Sequence, residues 1–150
     1  MVQAALATCL FGCFGGLATA AGVDPDTVNP CKLITQAEAQ SALGMPVKPG
    51  EFDDGVFRTC TFKPVNDGSY YLAVSLYSID KATFDKADPR QFERATGTPL
   101  DAFFGKATPL VSVWHAGNQL QIQIKFAGND PYAGVRDPEL KLAAIAVTRF

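Results

Sequence analysis

Four cysteines divide this chain into two unlike parts, and their distribution constrains the fold more than any other feature. Cys9 and Cys13 lie in a stretch, Met1 to Val23, with no charged side chain, whereas Cys31 and Cys60 lie beyond Asp24, the first charge. Ala4 to Phe14 reads as an apolar run, Gly15-Gly16 breaks it, and Ala18-Thr19-Ala20 has the small-x-small pattern of a signal-peptidase site. Residues 1–22 are therefore expected to direct export, with cleavage after Ala20 or Ala21. A second reading stays open: Leu10-Phe11-Gly12-Cys13 is similar to a lipobox, which would make Cys13 a lipidated first residue, although Phe11 is bulky there. A third, a retained membrane anchor, is opposed by the glycines and alanines of the segment. In either exported form Cys31 and Cys60 remain as an even pair in an oxidising compartment, where a disulfide is expected. A loop of about 30 residues closed in this way stabilises the fold by roughly 3–4 kcal/mol in the chain-entropy account. Two cysteines and the single His115 are too few ligands for a zinc site, so no metal is assigned.

The remaining chain fits one domain. A length of 150 residues, 47% of them hydrophobic and 19% charged, is too apolar for disorder and, after the first segment, too interrupted by charge to span a membrane. Lys and Arg number 13 against 15 Asp and Glu, without a basic run, which removes the electrostatic footprint of a nucleic-acid binder. Residues 23–30 read as a linker and 31–150 as a single domain. Thr35 and Glu38 form a capping box that predicts a helix from Gln36 to Leu43, ended by Gly44, with Leu33, Ala37, Ala42 and Leu43 as its apolar stripe. Met45 to Gly55 reads as loop. Val56 to Lys63 predicts a strand with Arg58, Cys60 and Phe62 on one side, and Tyr70 to Ile79 another, joined through Asn66-Asp67-Gly68. Asp80 to Ala87 and Asp88 to Ala95 suggest two short helical pieces.

Leu110 to Phe126 reads as a hairpin. A turn at Gly117-Asn118 would set Trp114 opposite Gln121, with Val111, Val113, His115, Leu120, Ile122 and Ile124 on one face. Ser112, Trp114, Gln121, Gln123 and Lys125 take the other. Asp137-Pro138 is expected to cap a last helix reaching about Arg149, burying Leu140, Ala143, Ala144 and Val147. Together these predict an α+β fold: an antiparallel sheet of four to six strands with N- and C-terminal helices packed on one face.

Pro30-Cys31-x-Leu33-Ile34-Thr35-x-Ala37-Glu38, the later Gly44-x-Pro46-Val47 and the second cysteine in Arg58-Thr59-Cys60-Thr61-Phe62 carry a resemblance. The chain resembles a bacterial family of small exported proteins and lipoproteins classed as a domain of unknown function. The similarity extends more loosely to Gly105-x-Ala107, to Gly117 and to a C-terminal helix rich in Leu and Ala, while Phe103-Phe104 departs from the smaller residues expected there. The resemblance implies export, a disulfide between the two matched cysteines and a cell-envelope setting. It transfers no catalytic residue.

Catalytic and metal signatures are missing from the sequence: there is no Gly-x-Ser-x-Gly, no His-Glu-x-x-His and no phosphate-cradling glycine loop. Asp53-Asp54 and Asp130 read as turn residues, since a calcium loop needs spaced oxygen donors. His115 is expected to pack against the apolar face, the alternative being the general base of a small exported hydrolase. The better candidate is Trp114 with Gln121, Gln123 and Lys125, extended by Tyr71 and Tyr77, because an amphipathic aromatic on a polar sheet face suits recognition. The opposing reading is that part of the same chain covers Trp114. The expected function is a non-catalytic secreted or envelope binding module, without cofactor, that meets a protein, peptide or glycan. A neutralising partner of a secreted toxin is a further alternative.

Overall fold

The computed structural model describes residues 23–66, 68–125 and 135–150. The export segment 1–22, with Cys9, Cys13 and the cleavage and lipidation readings, lies outside the described residues, as do Asp67 and Asp130.

Seven strands form one antiparallel sheet: β1 (Glu51–Asp53), β2 (Thr59–Phe62), β3 (Tyr71–Ser78), β4 (Phe92–Arg94), β5 (Asp101–Gly105), β6 (Leu110–His115) and β7 (Asn118–Lys125). Their order is β1-β2-β3-β7-β6-β5-β4, so two meanders meet where β3 pairs with β7 along eight residues. The expected four to six strands are too few. Both additional edges are three-residue strands in segments expected to be loop or helix, and short charged edges of this kind resist pairing with other chains. Asp88 opens only a single turn, its carboxylate accepting from the Arg90 N–H, before the chain extends into β4.

The strands are amphipathic with period two. Cys60, Phe62, Leu72, Val74, Val111, Val113, Leu120, Ile122 and Ile124 share one buried face. Helix α1 (Gln36–Leu43) and helix α3 (Arg136–Ala146) add Ala39, Leu43, Leu142, Ala143 and Ala146 to the same core. The capping box forms as expected, with Thr35 Oγ1 accepting from the Glu38 N–H and Glu38 accepting from the Thr35 N–H, and Gly44 ends α1 at φ 67°. The stripe on α1 is rotated from expectation: Ala37 is exposed and Ala39 buried. The short helix α2 (Lys81–Phe84) sits against the opposite face, where its Phe84 ring lies 5.1 Å from that of Phe103.

The disulfide joins Cys31 to Cys60. It ties the 3-10 turn Pro30–Lys32, just before α1, to the second strand. Gly50 lies so close beneath it that a Cβ there would stand 2.5 Å from Cys60 Sγ. At the other end of the chain, Arg149 donates to the Leu33 carbonyl and to both Glu38 carboxylate oxygens, at 2.7–2.8 Å. Residues 23–30 are docked on the domain: Asn118 Nδ2 donates to the Val23 carbonyl and Arg58 to that of Pro25, each at 2.8–2.9 Å.

Two sequence expectations fail in register. The hairpin turn is Ala116-Gly117, both at positive φ (47° and 81°), so His115 faces Asn118 and Trp114 faces Gln119. Two positive φ values describe a type I′ turn, and alanine is an unfavourable occupant of its first position. The compensation is Asn118, 1% exposed, whose side-chain amide bonds both the Ala116 and Val23 carbonyls. Helix α3 begins at Arg136 with Val135 at its N-cap and no side-chain cap, so Asp137 lies inside the first turn. The buried face consequently runs through Glu139, Leu142, Ala143 and Ala146, leaving Ala144 exposed and Leu140 and Val147 only half-buried.

Candidate functional site

One face of the sheet lies under α1 and α3. The other carries polar and aromatic side chains, and α2 covers only the part nearest β5 and β6. The uncovered area centres on β3 and β7. Tyr71, Ala73, Ser75 and Tyr77 alternate outward along β3, beside Gln119, Gln121 and Gln123 of β7. Ala73 and Ser75, the latter only 7% exposed, are small side chains between two large tyrosines, a dip in side-chain size that we call the trough, with the glutamine amides along one side.

Cross-strand hydrogen bonds hold these side chains in place. Tyr71 Oη donates to Gln123 Oε1 and Tyr77 Oη to Gln121 Oε1, both at 3.3 Å. The hydroxyls of Thr59 and Ser75 are 2.7 Å apart, and Gln119 Nε2 donates to Ser112 Oγ at 2.5 Å. Because Gln121 and Gln123 use their oxygens, their amide N–H groups have no bonded partner among the described residues. Lys125 Nζ stands 5.7 Å from the Tyr71 ring centre, and Phe57, 64% exposed, meets Tyr77 edge-on at 5.9 Å. The trough therefore has a cation and a ring at one end, an exposed aromatic at the other and orientated amides between them.

Trp114 occupies a different place. Its ring is half-buried, opposite Asp101 on β5 and Gln119 on β7, with Lys81 Nζ 5.7 Å from the ring centre. Its Nε1–H is buried and has no hydrogen-bond partner among the described residues. The structure thus brings Tyr71, Tyr77, Gln121, Gln123 and Lys125 together and sets Trp114 under the margin of α2. What holds that margin is a closed ring of charge. Lys81 and Arg94 each bridge Asp85 and Asp101, and these contacts hold both carboxyls below their ordinary range against the opposing effect of burial on Asp101.

His115 lies on the helix side of the sheet, its ring edge-on to Phe150 at 5.6 Å, and among the described residues no nucleophile is hydrogen-bonded to it. Among the described residues no three His, Cys, Asp or Glu side chains converge on a point that would hold a metal ion. A wider cleft of about 520 Å³ opens where the docked segment, with Asp24 and Asp26, crosses Arg58, Tyr77 and the β6–β7 turn.

Glu139 is the residue sequence reasoning missed. It is 1% exposed on α3, and its Oε1 accepts from the Ile124 N–H at 3.1 Å. Strand β6 begins opposite Gln123, so Ile124 lies one residue beyond that ladder and its N–H needs another acceptor. Burial pushes the Glu139 carboxyl up to about 8, against the lowering effects of that N–H and of Arg136. The signal was present in the spacing of Val135, Glu139, Leu142, Ala143 and Ala146, one continuous helical stripe with a carboxylate inside it.

No protein family, no curated protein and no solved structure matches this chain.

Proposed function

We propose that the chain is a non-catalytic binding module of the cell envelope or the secreted space, meeting a protein, peptide or glycan through the trough between Tyr71 and Tyr77. The observation that carries this reading is the pre-ordered polar face. Three cross-strand side-chain pairs fix its hydroxyls and amides, on the face of the sheet away from α1 and α3. Fixed donors lose little conformational freedom on binding, and tyrosine offers both a broad apolar surface and a hydroxyl. Trp114 is a flank of this surface and not its centre.

The Cys31–Cys60 bridge supports export. Membership of the exported family of unknown function belongs to the same reading. The test compares the disulfide-bonded chain with a Tyr71→Ala/Tyr77→Ala/Gln121→Ala variant of unchanged melting temperature on envelope extract and on a glycan array. Specific binding by the parent and its loss in the variant are expected; equal recovery by both would reject the trough. Intact mass of the mature protein separates cleavage after Ala20 or Ala21 from lipidation at Cys13.

A further inference from the structure

Between α2 and the sheet lies a second, smaller space of about 160 Å³ with a different chemistry from the trough. Phe84 and Ala87 line it from the α2 side, Phe92 from the β4 edge and Phe103 from the sheet. Phe84 and Phe103 are 3% and 8% exposed, and their rings are tilted 57° to each other, a rigid aromatic corner. The sheet side also presents Ser112, only 2% exposed, and Gln119. Thr83 also lines the space, but its hydroxyl donates to Asp80; because Gln119 Nε2 donates to Ser112 Oγ, the Ser112 proton and Gln119 Oε1 are left as one donor and one acceptor on the sheet side. No carboxylate, lysine or arginine lines the space.

We infer that this pocket is a binding socket for a neutral six-membered aromatic ring bearing one hydroxyl, a phenolic group. An enclosed cavity of about 150 Å³ lined by leucine, isoleucine and phenylalanine accommodates benzene, and this more open space has a similar volume, so one ring is the right size. A phenolic hydroxyl both donates and accepts, which matches the Ser112 and Gln119 pair, whereas a charged group would be desolvated without a partner. Ion pairs through Lys81, Asp85, Arg94 and Asp101 link α2 and the residue after it to β4 and β5 beside this space. The socket adjoins the Tyr–Gln trough at Gln119, but Tyr71, Tyr77, Gln121 and Gln123 do not line it, so each is tested by its own variants.

The phenolic ring could be a free small molecule or the tyrosine of a protein partner, and two probes distinguish them. Phenol and N-acetyl-tyrosinamide are titrated into the intact, disulfide-bonded chain while backbone amide shifts are followed by NMR, with benzene as the comparison ligand. Phenol should bind one to one, shift Ser112 and Gln119, and bind roughly threefold to tenfold more tightly than benzene. Ser112→Ala should remove that preference and leave benzene binding in place. Ala87→Leu and Ala87→Phe, which fill the space by different amounts, should abolish binding of both. Binding of both phenolic probes supports a tyrosine side chain as occupant; binding of phenol alone supports a free phenolic. Absence of shifts at Ser112 and Gln119 at tens of millimolar phenol, or shifts that survive in a folded Ala87 variant, would overturn the socket.

Discussion

The two faces of the sheet are built from the same strands yet answer to different constraints. Along β7, Leu120, Ile122 and Ile124 point into the helix-covered core at 0% exposure, while Gln119, Gln121 and Gln123 alternate with them on the open side. Burial of apolar side chains against α1 and α3 holds the first face. The second is ordered by hydrogen bonds between side chains most of which are half-exposed, each worth little where water competes for the same groups. A chain arranged this way can vary its open face without unfolding, and that separates stability from recognition within a single strand.

The largest expected effect tests the covered face. Ile122→Ala removes buried methyl groups from the centre of the sheet and should destabilise the domain by about 4 kcal/mol in urea unfolding. A loss below about 1 kcal/mol would mean that the core does not close there as described.

Next in size is the buried carboxyl at the edge of that same core. Burial holds the Glu139 carboxyl up at about 8 in the folded chain, against 4.5 for an exposed glutamate. Between these values the folded state keeps a proton that the unfolded state has released, so stability falls as pH rises through that window. Glu139→Gln keeps an acceptor for the Ile124 N–H and cannot ionise. The variant should match the parent near pH 4 and exceed it near pH 8 by about 3 kcal/mol. Parallel stability profiles for the two proteins would show that Glu139 is not desolvated.

Glu38 has the opposite sign. Its hydrogen bonds to Arg149 lead in holding the carboxyl down to about 2, with Thr35 adding to them against a smaller effect of burial. Its contribution is complete above about 4.5 and is lost as pH falls toward 2. Glu38→Ala removes both the capping box and the tie to the C-terminal arm, and should cost about 1–2 kcal/mol at neutral pH. The difference from the parent should narrow in acid, which thermal melts across that range would follow. Maximum stability of the parent is therefore expected near pH 4 to 5, between the two windows.

Which parts were legible in the sequence follows from the same contrast. Thr35, Glu38 and Gly44 act through bonds to their immediate neighbours, and α1 begins and ends where those residues imply. The faces of β6 and β7 were legible even though the turn was not. Moving the turn from Gly117-Asn118 to Ala116-Gly117 shifts the pairing by two residues, and a sheet with period two keeps its faces under such a shift. What was hidden depended on distant partners. Ala116 takes a positive φ in a turn where Asn118 bonds both its carbonyl and that of Val23, far away in the chain. The edge strands β1 and β4 are too short to show alternation, and Glu139 was not singled out because a carboxylate is ordinarily solvated. The site was legible as a list of wet-face residues. Its centre was not, since the neighbour of β7 across from β6 is β3, a contact made by topology and not by local sequence.

The smallest expected effect is the sharpest test of the difference between the faces. Tyr77→Phe deletes one hydroxyl and its 3.3 Å bond to Gln121 while leaving the ring against Phe57. Both groups are half-exposed, so water replaces the lost partner and the change in unfolding free energy should stay below about 0.5 kcal/mol. Binding should respond differently. Without the tyrosine, Gln121 loses the contact that orients its amide, and a ligand must then fix that rotamer itself, which weakens binding roughly twofold to tenfold. Equilibrium binding and urea unfolding of this one variant therefore have to part company. A substantial loss of stability would show that the open face contributes to the core after all, and the division of labour along β7 would not hold.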